Sequence, residues 1–332
     1  MAAGSSSGAR GAPPGYAALA REAALFEDDG RRIFRVRGER ALPALNGLVT
    51  ADVLATDRDA AFPSLILTPK GRVLADAVIV RLGGTTWLDI PTAAWAELER
   101  HFERYLPPRF AKLEPSELRV VRIRGPLSTE RERTDPDLAA LDGPTYSARA
   151  GSRWAVRAFR NGVATRPPEG FDLYLPPEEL RGLGLPEVGE AAWEVFRIEN
   201  GWPVYGRDVT TDNLPQETGL VAERVSFEKG CYTGQEVLAR IHYRGKVNRR
   251  LLGVRVGGPY VGPPLHPGDE LLAGDRVVGT VTSAAESPVH GWIGLAYLRR
   301  EVEPGDEMIV RPEGRETDIP VYARVVTLPF GS

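Results

Sequence analysis

The segment Phe227–Glu236, FEKGCYTGQE, holds the chain's single cysteine, Cys231, between two glycines, with Lys229 two positions before it. The thiolate is the reactive form of cysteine, and a nearby cation raises its fraction. Lys229 is placed to do that, while Gly230 and Gly234 allow a tight backbone excursion around the thiol. Downstream lie Arg240, His242, Arg244, Lys246, Arg249, Arg250 and Arg255, and no Asp or Glu occurs from Val237 to Gly268. Read as a strand, Arg240, His242 and Arg244 fall at i, i+2 and i+4 on one face. Such a face attracts anions. Residue types alone leave two readings open: a buried structural cysteine beside a solvated basic strand, or an exposed thiol or anion site at a domain junction. One thiol makes neither an internal disulfide nor a cysteine-rich metal site. His242 has no second His or acid at ligand spacing, so no permanently bound metal is expected.

The scaffold that must position these residues is legible in outline. With 42 Lys and Arg against 45 Asp and Glu the net charge is −3, which argues against a globally basic nucleic-acid binder. The 36 glycines and 28 prolines favour turns and short strands over long helices. Residues 1–15 are small, polar and Pro/Gly-rich and read as a disordered tail without a secretory apolar core. No apolar run is long enough to span a membrane, so a cytoplasmic location is expected. A helix is expected over Tyr16–Phe26, a strand over Arg31–Arg37 and a short helix over Ala41–Leu48. Strands are expected at Ser64–Thr68, Val73–Leu82 and Trp87–Ile90, the last two joined by the hairpin signal Gly83-Gly84. A helix capped by Thr92 carries Trp95, Leu98, Phe102 and Tyr105. Further strands are expected at Leu118–Arg124, Trp154–Phe159 and Phe171–Leu175, with a loop or subdomain junction near 128–151 between the first two. A helix over Glu187–Asn200 follows. After about residue 248 only short strands separated by turns remain, which predicts a small barrel or sandwich. The fold class is α+β with a largely antiparallel sheet.

The octapeptide KGCYTGQE, Lys229–Glu236, resembles the K-G-C-Y-x-G-Q-E signature of the YgfZ family of folate-binding proteins. That family is related to the glycine cleavage T protein and to mitochondrial iron–sulfur assembly factors. In the same order along the chain, LNGLVTAD (Leu45–Asp52), TPKGRVLADAVIV (Thr68–Val80), FRIENGWPVYG (Phe196–Gly206) and LPQETGL (Leu214–Leu220) are similar to further family segments. So are Gly279–Ser283 and Ile293–Arg299 in the C-terminal part. The resemblance implies an aminomethyltransferase-like, folate-binding module of α+β subdomains around a central cavity over 16–248. A C-terminal antiparallel β-barrel over 249–332 follows.

It also implies tetrahydrofolate as ligand. The implied role is accessory more than enzymatic: support of iron–sulfur cluster assembly or repair in client enzymes, tRNA-modifying radical enzymes among them. Glu199 matches the family's pterin-binding glutamate, since a carboxylate accepts two adjacent pterin N–H groups. Arg197 is expected to orient it. Lys229, Tyr232, Gln235 and Arg240 complete the folate-side candidates, with Cys231, Lys229 and Asp76 as the chemical ones. Folate and iron–sulfur clients are the expected partners, with no membrane and no direct nucleic-acid contact. The aminomethyltransferases carry an acidic pair after the Gly71 turn, where this chain has Ala75-Asp76. Loss of the first acid speaks against classical aminomethyl transfer, which remains the alternative reading.

Overall fold

The computed structural model describes residues 11–55, 59–128, 146–150, 153–157, 170–178, 184–257, 264–315 and 320–331 of the 332. In chain order the elements are α1 (Tyr16–Arg21), β1 (Ala24–Glu27), β2 (Arg31–Arg37), α2 (Ala41–Asn46), β3 (Ala60–Leu67), β4 (Val73–Leu82), β5 (Thr85–Pro91), α3 (Trp95–Tyr105), β6 (Lys112–Pro115) and β7 (Arg119–Arg124). Then come β8 (Tyr146–Ala150), β9 (Arg153–Arg157), β10 (Gly170–Leu175), α4 (Glu190–Glu199), α5 (Val221–Arg224) and α6 (Gln235–Arg244). The last are β11 (Arg249–Val256), β12 (Glu270–Ala273), β13 (Arg276–Ser287), β14 (Gly291–Arg299), β15 (Glu307–Arg311) and β16 (Val321–Val326).

These strands make two five-stranded antiparallel sheets and a closed barrel. One sheet runs β3-β4-β5-β2-β6, the other β1-β7-β10-β9-β8, and the barrel β11-β14-β13-β12-β15-β16. Both faces of the first sheet bury apolar side chains. Phe34, Ile66, Ile79 and Leu88 pack with Leu98 and Phe102 of α3 on one side. Ile33, Val78 and Val80 meet Val120 and Tyr174 of the second sheet on the other. Helix α4 lies between the second layer and the barrel. Its Trp193 stacks on Phe26 with ring centroids 4.6 Å apart, and its Ile198 enters the barrel-side cluster with Leu251, Ile293 and Tyr297.

Three expectations need correction. The helix expected over Tyr16–Phe26 ends at Arg21, because Ala24–Glu27 pairs with Val121–Arg124 as an edge strand. The apolar run AALF suits either period, and main-chain pairing decides it. The helix expected from Glu187 begins at Glu190, since Glu187 bridges to Leu25 and Gly189 is the N-cap. Thr92 opens a 3-10 turn, Thr92–Ala94, ahead of α3 instead of capping it. Of the expected tail, residues 1–10 lie outside the described residues. Most of the expected 128–151 junction does too, and its end is strand β8.

Candidate functional site

The Cys231 loop is anchored on both sides of the thiol. Lys229 is buried, and its Nζ donates to the Asn46 carbonyl at 2.7 Å, Asn46 Oδ1 at 3.0 Å, the Val49 carbonyl at 2.9 Å and the Ala51 carbonyl at 2.7 Å. Burial lowers its pKa to about 8, with Asp52 opposing. Tyr232 sits in the core with Leu65, Leu67, Val73 and Leu238. The Thr233 N–H donates to the Gly47 carbonyl at 3.0 Å. Cys231 stands exposed between these anchors. Lys229 therefore fastens the loop to residues 46–51, and its N–H groups are committed there. Asn46 is part of this seat, a role that only the long-range contact reveals.

Gly234 caps α6 with φ +83, and a Cβ there would lie 2.6 Å from the Thr68 carbonyl oxygen. Gly71 of the β3–β4 turn is equally close, with an added Cβ 2.9 Å from Val237. The loop is thus seated on the β3–β4 hairpin at glycine-only distance. At Gly230 an added Cβ meets nothing within 4 Å, so of the two flanking glycines only Gly234 is required. Gly234→Ala should cost about 2 kcal/mol, whereas Gly230→Ala should stay within about 0.5 kcal/mol. Urea unfolding of the two variants checks this, and equal costs would contradict the seating.

The basic segment expected to be a strand is helix α6. At 100° per residue Arg240 and Arg244 share a face, and His242 points to the opposite side. There His242 stacks on Phe227 with ring centroids 3.8 Å apart. Five residues of alternating polarity fit either period. The helix wins because Gly234 starts it and its one buried residue, Leu238, packs into the loop's core cluster. Arg240 is exposed, and Gln235 Oε1 accepts a long bond from the Tyr232 N–H at 3.4 Å.

Asp76 projects from β4 into a buried ionic cluster. Its carboxylate is 2.9 Å from Arg31 Nη1 and 3.7 Å from Arg224 Nη1. Arg31 also binds Asp89 at 2.7 Å, and the Tyr174 hydroxyl donates to Asp89 at 2.8 Å. Asp76 is therefore ion-paired to two guanidinium groups. Neither Arg31 nor Arg224 was singled out from the sequence.

Glu199, at the end of α4, is remote in sequence from its partners. The Tyr16 hydroxyl shares one hydrogen between both carboxylate oxygens at 2.8 and 2.9 Å, and the Ser287 hydroxyl donates to one of them at 2.5 Å. Burial raises the Glu199 pKa, against these hydrogen bonds. Oε1 receives the Ser287 hydrogen while Oε2 has only the shared Tyr16 hydrogen, so a ligand with two parallel N–H donors satisfies this carboxylate better than Tyr16 does. In that respect the residues fit a pterin. Arg197 is different. It is 1% exposed and all five of its N–H groups are taken, by Glu194 at 2.6 and 2.7 Å, Asp208 at 2.9 Å, the Trp202 carbonyl at 3.1 Å and Ser283 at 2.7 Å. It joins α4 to the 202–208 segment and the barrel and has no N–H left for a ligand.

Among the described residues no three His, Cys, Asp or Glu side chains are grouped to hold a metal, and no helix is long and apolar enough to cross a membrane.

A double antiparallel layer, a cysteine loop seated on its hairpin and a closed C-terminal barrel define an aminomethyltransferase-type fold. The GCVT N-terminal domain matches residues 14–229, and the glycine cleavage T-protein C-terminal barrel domain matches 249–330. The chain belongs to this glycine cleavage T-protein family. It is 28% identical to the aminomethyltransferase of Rubrobacter xylanophilus over 332 residues, covering 95% of this chain and 85% of that one. It is 30% identical to the mitochondrial iron–sulfur cluster assembly factor IBA57 of Mus musculus, covering 84% of this chain and 78% of that one. The glycine cleavage system aminomethyltransferase T of Bartonella henselae superposes with a TM-score of 0.75 at 21% identity, over 95% of this chain and 88% of that one. That likeness carries the fold.

Proposed function

We propose that this protein is a tetrahydrofolate-binding accessory factor of the YgfZ type, acting on iron–sulfur cluster assembly or repair in client enzymes. The observation that carries the reading is Cys231 itself. It is exposed on a loop fastened by Lys229, Tyr232 and Gly234, so an accessible thiol is presented from a rigid seat. One relative, 30% identical, is named as an iron–sulfur cluster assembly factor. In this reading residues 16–248 form the folate module and 249–332 the barrel. Glu199 accepts the pterin N–H pair, Cys231 meets the client, and Lys229, Tyr232 and Gln235 hold the loop. Arg240 faces the folate tail or the client from α6. Tetrahydrofolate supplies a one-carbon carrier when bound, and the chain's own part is to hold the pterin at Glu199.

Titration of the full chain with tetrahydrofolate tests the folate half, and Glu199→Gln should weaken binding at least about tenfold. Complementation tests the thiol half. Cys231→Ala should bind tetrahydrofolate normally yet fail to restore cluster-enzyme activity in a deletion strain. Full restoration would remove the thiol from the function.

A second reading, a folate-dependent aminomethyltransferase, is favoured by the retained Asp76 and by the aminomethyltransferases among the relatives. It requires turnover of an aminomethyl donor with tetrahydrofolate, abolished in Asp76→Asn.

A further inference from the structure

On the side of the barrel that meets the 207–213 segment lies a cleft of about 510 Å³, within the size range of small-molecule sites. The β11–β14 pairing sets Arg249 directly opposite Arg299 on its wall. Two like charges directly opposite in a sheet are destabilising. Arg249 is partly compensated: its Nε is 3.2 Å from Glu217, its Nη2 donates to the Asp212 carbonyl at 3.0 Å, and its guanidinium lies 5.1 Å from the Tyr297 ring. Arg299 is exposed and has no acidic partner among the described residues.

Two residues before Arg299, and so on the same face of β14, is Tyr297. It is 7% exposed and lines the cleft, and its hydroxyl has no hydrogen-bond partner among the described residues. A buried hydroxyl without a partner is destabilising. Burial pushes its pKa up, so it remains a donor. Thr280, its cross-strand neighbour on β13, lines the same wall.

Of the acids around this wall, Glu217 is held by Arg249 and Asp208 is already committed. Asp208 is taken by Arg197, by the hydroxyls of Thr282 and Ser283 and by the Val204 N–H. Asp212 is exposed at the rim of the cleft, and it is its backbone carbonyl that Arg249 binds. Arg207 is likewise spent on Glu194 at 2.6 Å.

We infer that this cleft binds a small organic anion, whose carboxylate or phosphate oxygens lie between Arg249 and Arg299 and accept the Tyr297 hydroxyl. A bound oxyanion turns the repulsion across β11–β14 into a shared attraction and gives the orphaned phenol its partner. The site is separate from Glu199 and Cys231 and does not rest on the folate reading.

The test uses the full chain and two probes, citrate and inorganic phosphate, titrated calorimetrically at constant ionic strength with chloride as control. Saturable binding with Kd below about 10 mM is expected for at least one probe. A response to citrate alone assigns a carboxylate ligand, and one to phosphate alone a phosphate ester. Arg299→Gln should weaken that binding more than about tenfold while raising the melting temperature of the free protein by about 1–2 °C, because the like-charge pair is gone. Tyr297→Phe, with its fold checked by circular dichroism, should weaken binding several-fold. Wild-type affinity in both variants, or no saturable binding of either probe, would overturn the inference. Glu199→Gln should leave this titration unchanged, which separates it from the tetrahydrofolate experiment.

Discussion

Replacing Arg197 by Met should remove about 3–5 kcal/mol of stability. The side chain is fully buried, and its guanidinium binds Glu194 and Asp208 together with Ser283 and the Trp202 carbonyl. Methionine fills much of the volume but leaves the buried Asp208 carboxylate without its cation. Asp208 keeps only the Thr282 and Ser283 hydroxyls and the Val204 N–H. Removing one partner of a buried ion pair costs far more than the pair contributes in net terms, because the remaining charge is stranded. Glu194 suffers less, since Arg207 also binds it at 2.6 Å from the solvent side. Denaturant unfolding gives the value directly. A loss below about 1 kcal/mol would show that this junction between α4 and the barrel does not form as described.

The second large effect is at Lys229. Lys229→Met should cost about 3 kcal/mol or more, since the carbonyls of Asn46, Val49 and Ala51 lose a common donor in a buried setting. The loss should be visible at the thiol as well, because the same contact fastens the Cys231 loop. Cys231 should react faster with a bulky disulfide reagent in the variant than in the wild type. There is also a pH signature. The folded pKa is about 8 and the ordinary value 10.5, so between them the unfolded chain holds a proton that the folded chain has released. Wild-type stability should therefore rise with pH across that window, and the rise should be absent from Lys229→Met. A wild-type profile that falls between pH 8 and 10 would contradict the burial of this amine.

Local signals carried much of this structure in the sequence. Strand β4 ends where the flanking turns place it, at Val73–Leu82. The barrel strands were legible because each is bounded by Gly- or Pro-rich turns. The segment Arg240–Arg244 was misread because five alternating residues do not distinguish a strand from an amphipathic helix. What decides it is Gly234 against Thr68, a contact between distant positions. The site shows the same division. KGCYTGQE announced itself as eight contiguous residues. The partners of Glu199 lie 183 and 88 positions away in Tyr16 and Ser287, and no local pattern encodes them. Arg197 and Lys229 were readable as charged residues near the site. Only their full sets of buried acceptors show that both hold the scaffold together.

The edge strand β1 has a consequence for how the chain is made. Its partners are β7 and, through Leu25, the 186–188 segment, while Tyr16 closes on Glu199. A ribosome that has delivered Tyr16 must add 183 more residues before Glu199 exists. At about 5–20 residues per second that takes roughly 10–40 s. The first sheet, β2 to β6, can pair within that time and β1 can find β7, whereas Tyr16 has to wait for its acceptor. The contact between Tyr16 and Glu199 thus closes after the first sheet and β7 have been made and before the barrel strands exist.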